Sequence, residues 1–133
     1  MLRACAELLR PAGRLAFLTI EPAVGLSLAQ LGRAIEHGPP EVGVDVPHER
    51  MLAAAGFTRI EAVDVSVEFS RTQQAWIDAW HSHEDALLRA LGPDVLDERK
   101  AERRAMRRAI EEGLLRRTLY IAQTRPVDPD ARM

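Results

Sequence analysis

The sequence predicts an α/β domain, and three observations support that class. Two short apolar segments at residues 14–20 and 119–122, and an alternating segment at residues 58–69, have the character of β-strands. Segments with helical spacing of apolar residues lie between them, and glycine or proline ends most of these segments. The chain has 133 residues, 47% hydrophobic and 29% charged, which fits one folded domain and argues against intrinsic disorder.

The first predicted strand, residues 14–20, offers no polar face. Its central residues 15–18 are all apolar, which is typical of a strand buried on both sides of a sheet. We therefore expect neighbours on both edges of this strand. A helix over residues 2–10 precedes it, and residues 11–13, Pro-Ala-Gly, stop that helix.

The two short helices that follow have recognisable ends. Ser27 and Gln30 predict a capping box at the start of a helix over residues 28–37, and Gly38 predicts its end. A second short helix is predicted over residues 48–55. These two helices separate the first strand from the second.

The second predicted strand alternates apolar and polar residues, so one face is buried and the other faces water. Its apolar positions are Val63, Val65, Val67 and Phe69. Ile60 is out of phase with that series. This offset indicates either a β-bulge or a later start of the strand.

Two long helices and a final strand complete the prediction. Ser70 with Gln73 predicts a second capping box, and an apolar stripe then continues from Trp76 to Leu91. Gly92 and Pro93 end that helix. Asp94 is the predicted cap of the next one, over residues 95–113. The last strand covers residues 119–122.

Composition excludes several classes of function. The formal net charge of −2 gives no general reason to expect a nucleic-acid partner, and no apolar run is long enough to span a membrane. The single cysteine, Cys5, forms no internal disulfide. The first residues lack the pattern of a signal peptide, so a cytoplasmic location is the expectation.

Three segments, in order, resemble landmarks of class I S-adenosylmethionine-dependent methyltransferases. Residues 7–17 (ELLRPAGRLAF) resemble the LRPGGRL turn that leads into the fifth strand of that family's sheet, with Ala12 replacing a glycine. Residues 48–57 (HERMLAAAGF) resemble the segment before the sixth strand. Residues 118–123 (TLYIAQ) resemble the seventh strand, which in that family runs antiparallel between the fifth and sixth.

The resemblance implies a partial Rossmann-like methyltransferase sheet made of the last three strands. It assigns residues 1–125 to the C-terminal part of such a domain, with a helical insertion at 70–117 before the final strand and a frayed tail at 126–133. The family's Gly-rich turn after its first strand, which binds S-adenosylmethionine, has no match here. We therefore expect a substrate-side fragment of a methyltransferase that binds no cofactor alone and is inactive alone.

A second hypothesis belongs to a different class. Under this hypothesis, the chain is a stand-alone, non-catalytic α/β module whose exposed sheet edge is covered by formation of a homodimer. A third and weaker hypothesis is a nucleic-acid-binding module that uses the basic helix at residues 99–108. Charges of both signs occur in that helix, and aromatic residues do not interleave with them, which favours a solvated helix face instead.

Five residues are candidates for a substrate pocket, whereas no catalytic residue is identified and the methyl acceptor is unknown. Ligands sit at the carboxyl ends of strands in open α/β sheets, which points to Thr19 and Glu21. Glu21 either orients the acceptor or simply begins an exposed loop. Trp76 and Trp80 lie one turn apart and form either an aromatic wall or part of the core. His48 is either a lid residue or an ordinary surface histidine.

No metal site is predicted. His81 and His83 point to nearly opposite faces of one helix, so they do not chelate one ion together. His81 and Asp85 lie four residues apart, but two ligands make a weak site.

Overall fold

The α/β class is confirmed in a computed structural model, which describes residues 1–39 and 46–130. The helices are α1 (Leu2–Leu8), α2 (Leu28–His37), α3 (His48–Ala54), α4 (Ser66–Ser82), α5 (Glu84–Leu91) and α6 (Pro93–Glu111). The strands are β1 (Arg14–Pro22), β2 (Phe57–Asp64) and β3 (Leu115–Thr124). None of the helices among these described residues is long and apolar enough to cross a membrane.

The three strands form one sheet in the order β1-β3-β2. β3 pairs antiparallel with β2, from Phe57 opposite Thr124 to Asp64 opposite Thr118. Beside β1, the Thr124 N–H donates to the Gly13 carbonyl at 2.9 Å. The last strand of the chain therefore lies between the two earlier ones, as the resemblance implied.

The offset at Ile60 is a β-bulge. The register between β2 and β3 shifts between Thr58 and Glu61. Arg59, inside this shift, has a φ of 49°, in the left-handed region that a non-glycine residue adopts at some cost. The extra residue explains why Ile60 does not follow the alternation of the rest of the strand.

The second strand is shorter than predicted. β2 ends at Asp64 and α4 begins at Ser66, so the predicted continuation to Phe69 and the capping box at Ser70 are wrong. The Val65 N–H donates to the Arg117 carbonyl at 2.8 Å, and the Arg117 N–H donates to Ser66 Oγ at 2.9 Å. These two long-range hydrogen bonds mark the change from strand to helix.

The apolar stripe predicted as one helix is divided between α4 and α5. The division falls at His83, which is both the residue after α4 and the residue before α5. The predicted cap at Asp94 is also wrong, because Pro93 is already the first residue of α6. Gly92 makes the turn between α5 and α6 with a φ of 81°, a conformation that glycine adopts without strain.

The prediction that β1 is buried on both sides is wrong within the described residues. Ala16 and Leu18 are exposed, and 50% of Leu18 is accessible. β1 is also an edge strand in the order of the sheet. One face and one edge of β1 therefore lack the neighbours that its apolar sequence predicts.

The described residues divide into two compact units. The first comprises residues 1–19, 46–64 and 118–130, and the second comprises residues 20–39 and 65–117. Leu52, Phe57, Tyr120 and Ala122 form the core of the first unit. The core of the second unit is formed by Ala34, Phe69, Ala109, Ile110, Leu114 and Leu115.

The predicted capping box of α2 is confirmed in the second unit. The Gln30 N–H donates to Ser27 Oγ at 3.2 Å, and the Ser27 N–H donates to Gln30 Oε1 at 2.9 Å. Residues 131–133 of the predicted tail lie outside the described residues, so the frayed tail stays a prediction.

Candidate functional site

Two of the five candidate residues, Thr19 and His48, line one pocket in the first unit. The pocket has a volume of about 720 Å³ and lies among α1, β1 and α3. Its other lining residues are mainly apolar, and they include Leu2, Leu15, Phe17, Met51 and Ala55. Thr19, His48 and Arg3 are the polar side chains in a mainly apolar lining, which is the composition of many small-ligand pockets.

His48 is not an ordinary surface residue. Its half-buried ring lies 5.2 Å from the Tyr120 ring and 6.0 Å from the Phe17 ring, centroid to centroid. Phe17 and Tyr120 stack on each other at 5.4 Å. The histidine at the start of α3 is thus held against two aromatic side chains of the first unit.

Glu21 belongs to the second unit and does not begin an exposed loop. It lies within β1, which continues to Pro22, and only 9% of its surface is accessible. Arg116 Nε and a terminal guanidinium nitrogen lie 2.8 and 2.7 Å from Glu21 Oε1. The carboxylate therefore serves to fix two neighbouring strands in place, and its pairing with Arg116 explains its burial.

Trp76 and Trp80 share a face of α4, as their spacing predicts, but they form neither a simple core nor an open aromatic wall. Their rings pack edge to face with centroids 6.2 Å apart. The Arg103 guanidinium carbon lies 5.2 Å from one ring centroid and 5.3 Å from the other. The same guanidinium donates to Gln73 Oε1 at 3.3 Å. The two tryptophans therefore hold a cation by cation–π contact.

The basic face of α6 is only partly solvated, which corrects the sequence interpretation. Lys100, Arg103 and Arg107 recur at helical spacing and are half-buried, whereas Arg99, Arg104 and Arg108 are exposed. Lys100 Nζ lies 2.6 Å from Glu84 Oε1 of α5. Arg107 pairs with Glu111 at 3.0 Å and also contacts Gln74 of α4.

The ammonium group of Lys100 lowers the pKa of Glu84 below its ordinary value. The hydrogen bond from Lys100 is the largest cause, and its positive charge is the next. His81 adds a weaker attraction, with Nδ1 3.9 Å from Glu84 Oε2.

Among residues 1–39 and 46–130, no three histidine, cysteine, aspartate or glutamate side chains are grouped so as to hold a metal ion.

Sequence reasoning assigned no contact to three residues that lie against aromatic rings in the structure, namely Arg103, Arg117 and Tyr120. Arg103 was assigned to the solvated face, and Arg117 and Tyr120 received no role. The spacing of Lys100, Arg103 and Arg107 is the signal that would have found the buried side of α6. Arg117 carries no comparable signal, because its contact with Phe69 joins residues far apart in the chain.

No family model and no curated protein sequence matches this chain. Solved structures do match it. One is phosphoethanolamine N-methyltransferase 2 from Haemonchus contortus, in complex with phosphomonomethylethanolamine and S-adenosylhomocysteine, with a TM-score of 0.76 and 11% identity. A protein from Galdieria sulphuraria assigned as a sarcosine dimethylglycine methyltransferase also has a TM-score of 0.76 and 11% identity. A cyclopropane synthase from Mycobacterium tuberculosis has a TM-score of 0.68 and 18% identity.

The matches cover nearly all of this chain but less than half of each solved chain. They cover 93%, 96% and 92% of this chain, but only 29%, 47% and 48% of the solved chains. The chain has the fold of part of a methyltransferase. Because so little of the chain is left uncovered, much of the helical segment between β2 and β3 has a counterpart in these methyltransferases. It is therefore not peculiar to this chain.

Proposed function

We propose that this chain is the acceptor-side part of an S-adenosylmethionine-dependent methyltransferase. The observation that carries the proposal is the fold match over 93% of this chain to 29% of a methyltransferase solved with S-adenosylhomocysteine. The landmark segments at residues 7–17, 48–57 and 118–123 add independent support, since they occur in the order of that family.

The described residues do not fit a binding site for S-adenosylmethionine. β1 is followed by a single glycine, Gly25, before α2, and β2 reaches α4 without any glycine. A Cβ added at Gly25 would meet no atom within 4 Å, so no group approaches the backbone closely there. A Gly-rich turn works because it lets a ligand approach the backbone, and neither strand end offers such a turn. We therefore propose that residues outside these 133 supply cofactor binding.

The direct test begins with the DNA upstream of Met1. We expect an in-frame coding sequence with a Gly-rich turn between a strand and a helix. The longer polypeptide is then expressed and supplied with S-adenosylmethionine carrying a tritiated methyl group. Transfer of label to phosphoethanolamine, sarcosine or another small acceptor supports the proposal. An upstream stop codon with no such turn, or a folded longer chain that transfers no label to any acceptor tested, contradicts it.

A second candidate function is a non-catalytic module that forms a homodimer, and the exposed face of β1 favours it. Leu18 on that face is half-exposed, and β1 is an edge strand of the sheet. Size-exclusion chromatography with light scattering distinguishes the candidates. A stable dimer of the 133-residue chain supports the module, whereas a monomer that aggregates or unfolds partly supports the methyltransferase part.

A further inference from the structure

The second unit has a pocket of its own that none of the five candidate residues lines. Its volume is about 860 Å³, within the range of roughly 300–1,000 Å³ that small-ligand pockets occupy. Ile20, Phe69 and Met106 supply apolar surface. The polar and charged side chains that line it are Glu36, His37, Gln73, Glu102, Arg103 and Arg117.

The half-buried cations of the second unit fall into two groups. They are Lys100, Arg103, Arg107, Arg116 and Arg117. Three of them pair with a carboxylate at 2.6 to 3.0 Å: Lys100 with Glu84, Arg107 with Glu111, and Arg116 with Glu21. Arg103 and Arg117 have no carboxylate partner among the described residues, and both of them line the pocket.

Neutral groups hold these two guanidiniums in place. The guanidinium carbon of Arg117 lies 4.1 Å from the centroid of the Phe69 ring. Arg103 lies over Trp76 and Trp80 and donates to Gln73, which is 1% exposed. Contact with an aromatic ring leaves a guanidinium with five N–H donors, and Gln73 accepts from only one terminal nitrogen of Arg103, so further N–H groups stay able to donate to a ligand.

The α4 residues that contact the two arginines are Phe69, which contacts Arg117, and Gln73, which contacts Arg103. They lie four residues apart, so they occupy the same face on successive turns of the helix. Two half-buried positive charges without a carboxylate carry a desolvation cost, and an anion in the pocket would offset it. Glu36 and Glu102 also line the pocket, but both are exposed, and water screens their charges more strongly than those of the arginines.

We propose that this pocket binds the anionic group of a small ligand, a carboxylate or a phosphate, through Arg103 and Arg117. Guanidinium groups suit both anions, because each arginine presents paired N–H donors to oxygen atoms. The assignment of this ligand as the methyl acceptor rests on the proposed function. The anion site itself rests only on side chains of the second unit.

Nuclear magnetic resonance of the full 133-residue chain tests the site directly. The Nε–H resonances of the arginines are followed while inorganic phosphate or sodium acetate is added at constant ionic strength. We expect saturable shifts at Arg103 and Arg117 with at least one anion, and the tighter anion identifies phosphate or carboxylate as the preferred group. Ethylammonium chloride serves as the cationic control. The absence of saturable shifts with both anions, or shifts confined to exposed arginines such as Arg104, overturns the proposal.

Variants then assign the binding energy to the two side chains. Loss of a charge-assisted hydrogen bond corresponds to a weakening of roughly tenfold or more, which we expect for Arg103→Gln and for Arg117→Gln. Arg104→Gln makes the same charge change next to Arg103 on the exposed side of α6, and we expect unchanged affinity. If a glutamine variant unfolds, Arg103→Lys and Arg117→Lys keep the charge and remove the paired donors, so weakened binding in both is expected. Unchanged affinity in both folded variants overturns the proposal.

Failure of the anion site and failure of the proposed function give different results. If the 133-residue chain binds phosphate or acetate but the longer polypeptide binds no S-adenosylmethionine, only the methyltransferase proposal is contradicted. A longer polypeptide that binds S-adenosylmethionine, with no anion shift at Arg103 or Arg117, contradicts the anion site alone.

Discussion

The two units of the described chain differ in the polar side chains beside their apolar cores, since the buried ones of the first unit are the neutral Thr118 and Thr124. In the first unit, Leu52 and Tyr120 are fully buried and pack with Phe57 and Ala122. In the second unit, an apolar core is accompanied by a layer of amide and cationic side chains, in which the buried Gln73 accepts from Arg103.

This difference indicates where ligand chemistry is to be sought. Apolar packing stabilises a fold without placing charge, whereas half-buried cations carry a desolvation cost that their partners must offset. The second unit pairs Lys100, Arg107 and Arg116 with carboxylates and leaves Arg103 and Arg117 in cation–π contact with aromatic rings. The second unit is therefore the better candidate for anion recognition.

The largest effect is expected from the core of the first unit. Leu52→Ala removes a fully buried side chain and leaves a cavity, which lowers the free energy of unfolding by about 2–5 kcal/mol. Leu8→Ala is the control, since Leu8 is 87% exposed and such surface changes stay within about 0.5 kcal/mol. Urea denaturation measures both. Equal midpoints for the two variants would contradict apolar packing as the stabilising chemistry of this unit.

A smaller loss is expected from the polar layer of the second unit. Gln73→Ala removes the acceptor of the Arg103 hydrogen bond and buried volume with it, lowering the free energy of unfolding by about 1–3 kcal/mol. Because Arg103 also contacts Trp76 and Trp80, the tryptophan emission is expected to change in the native state. Thr72→Ala, one residue away and exposed, is the control for both measurements. A variant whose stability and emission match those of Thr72→Ala would show that the polar layer contributes nothing.

The N-terminal cap of α2, in the second unit, makes a smaller contribution to the free energy of unfolding. Ser27→Ala removes the side chain that accepts the Gln30 N–H, at an expected cost of about 1 kcal/mol, whereas Ser27→Gly costs only a few tenths. Thermal unfolding of the two variants measures the difference. If Ser27→Ala unfolds at the same temperature as the unchanged chain, the cap contributes nothing to the stability of this unit.

The smallest effect is expected on the pH dependence of stability, because Glu84 is partly exposed. Its folded-state pKa is lowered by Lys100, so the stabilisation is present above the ordinary pKa and is lost as pH falls through the lowered value. Lys100→Met is expected to raise the pKa of Glu84 and to weaken the acid dependence of stability. A ¹³C titration of the Glu84 carboxyl group in the unchanged chain and in Lys100→Met measures the shift. An unchanged Glu84 titration in Lys100→Met would contradict the assignment.

Some features set by neighbouring residues were predictable from the sequence, although the caps expected at Ser70 and Asp94 were not among them. The capping box of Ser27 and Gln30 is complete within four residues, and both of its hydrogen bonds form. The break in alternation at Ile60 indicated either a bulge or a later start of the strand, and the structure has the bulge. The end of a helix at Gly92 followed from glycine and proline chemistry.

Features set by distant residues were not predictable. α4 begins at Ser66 without a side-chain cap, so its start had no local signal and the apolar alternation appeared to continue to Phe69. The burial of Glu21 depends on Arg116, and the position of Arg103 depends on Trp76 and Trp80 of another helix. Such contacts join residues far apart in sequence, which periodicity does not detect.

Calorimetry with S-adenosylmethionine tests the central claim most directly. The 133-residue chain and the longer polypeptide from the same reading frame are titrated side by side under identical conditions. The proposal predicts saturable binding by the longer polypeptide and none by the 133-residue chain, whose strand ends lack a Gly-rich turn. Low-micromolar binding to the 133-residue chain, or a folded longer polypeptide that binds no S-adenosylmethionine, would contradict it.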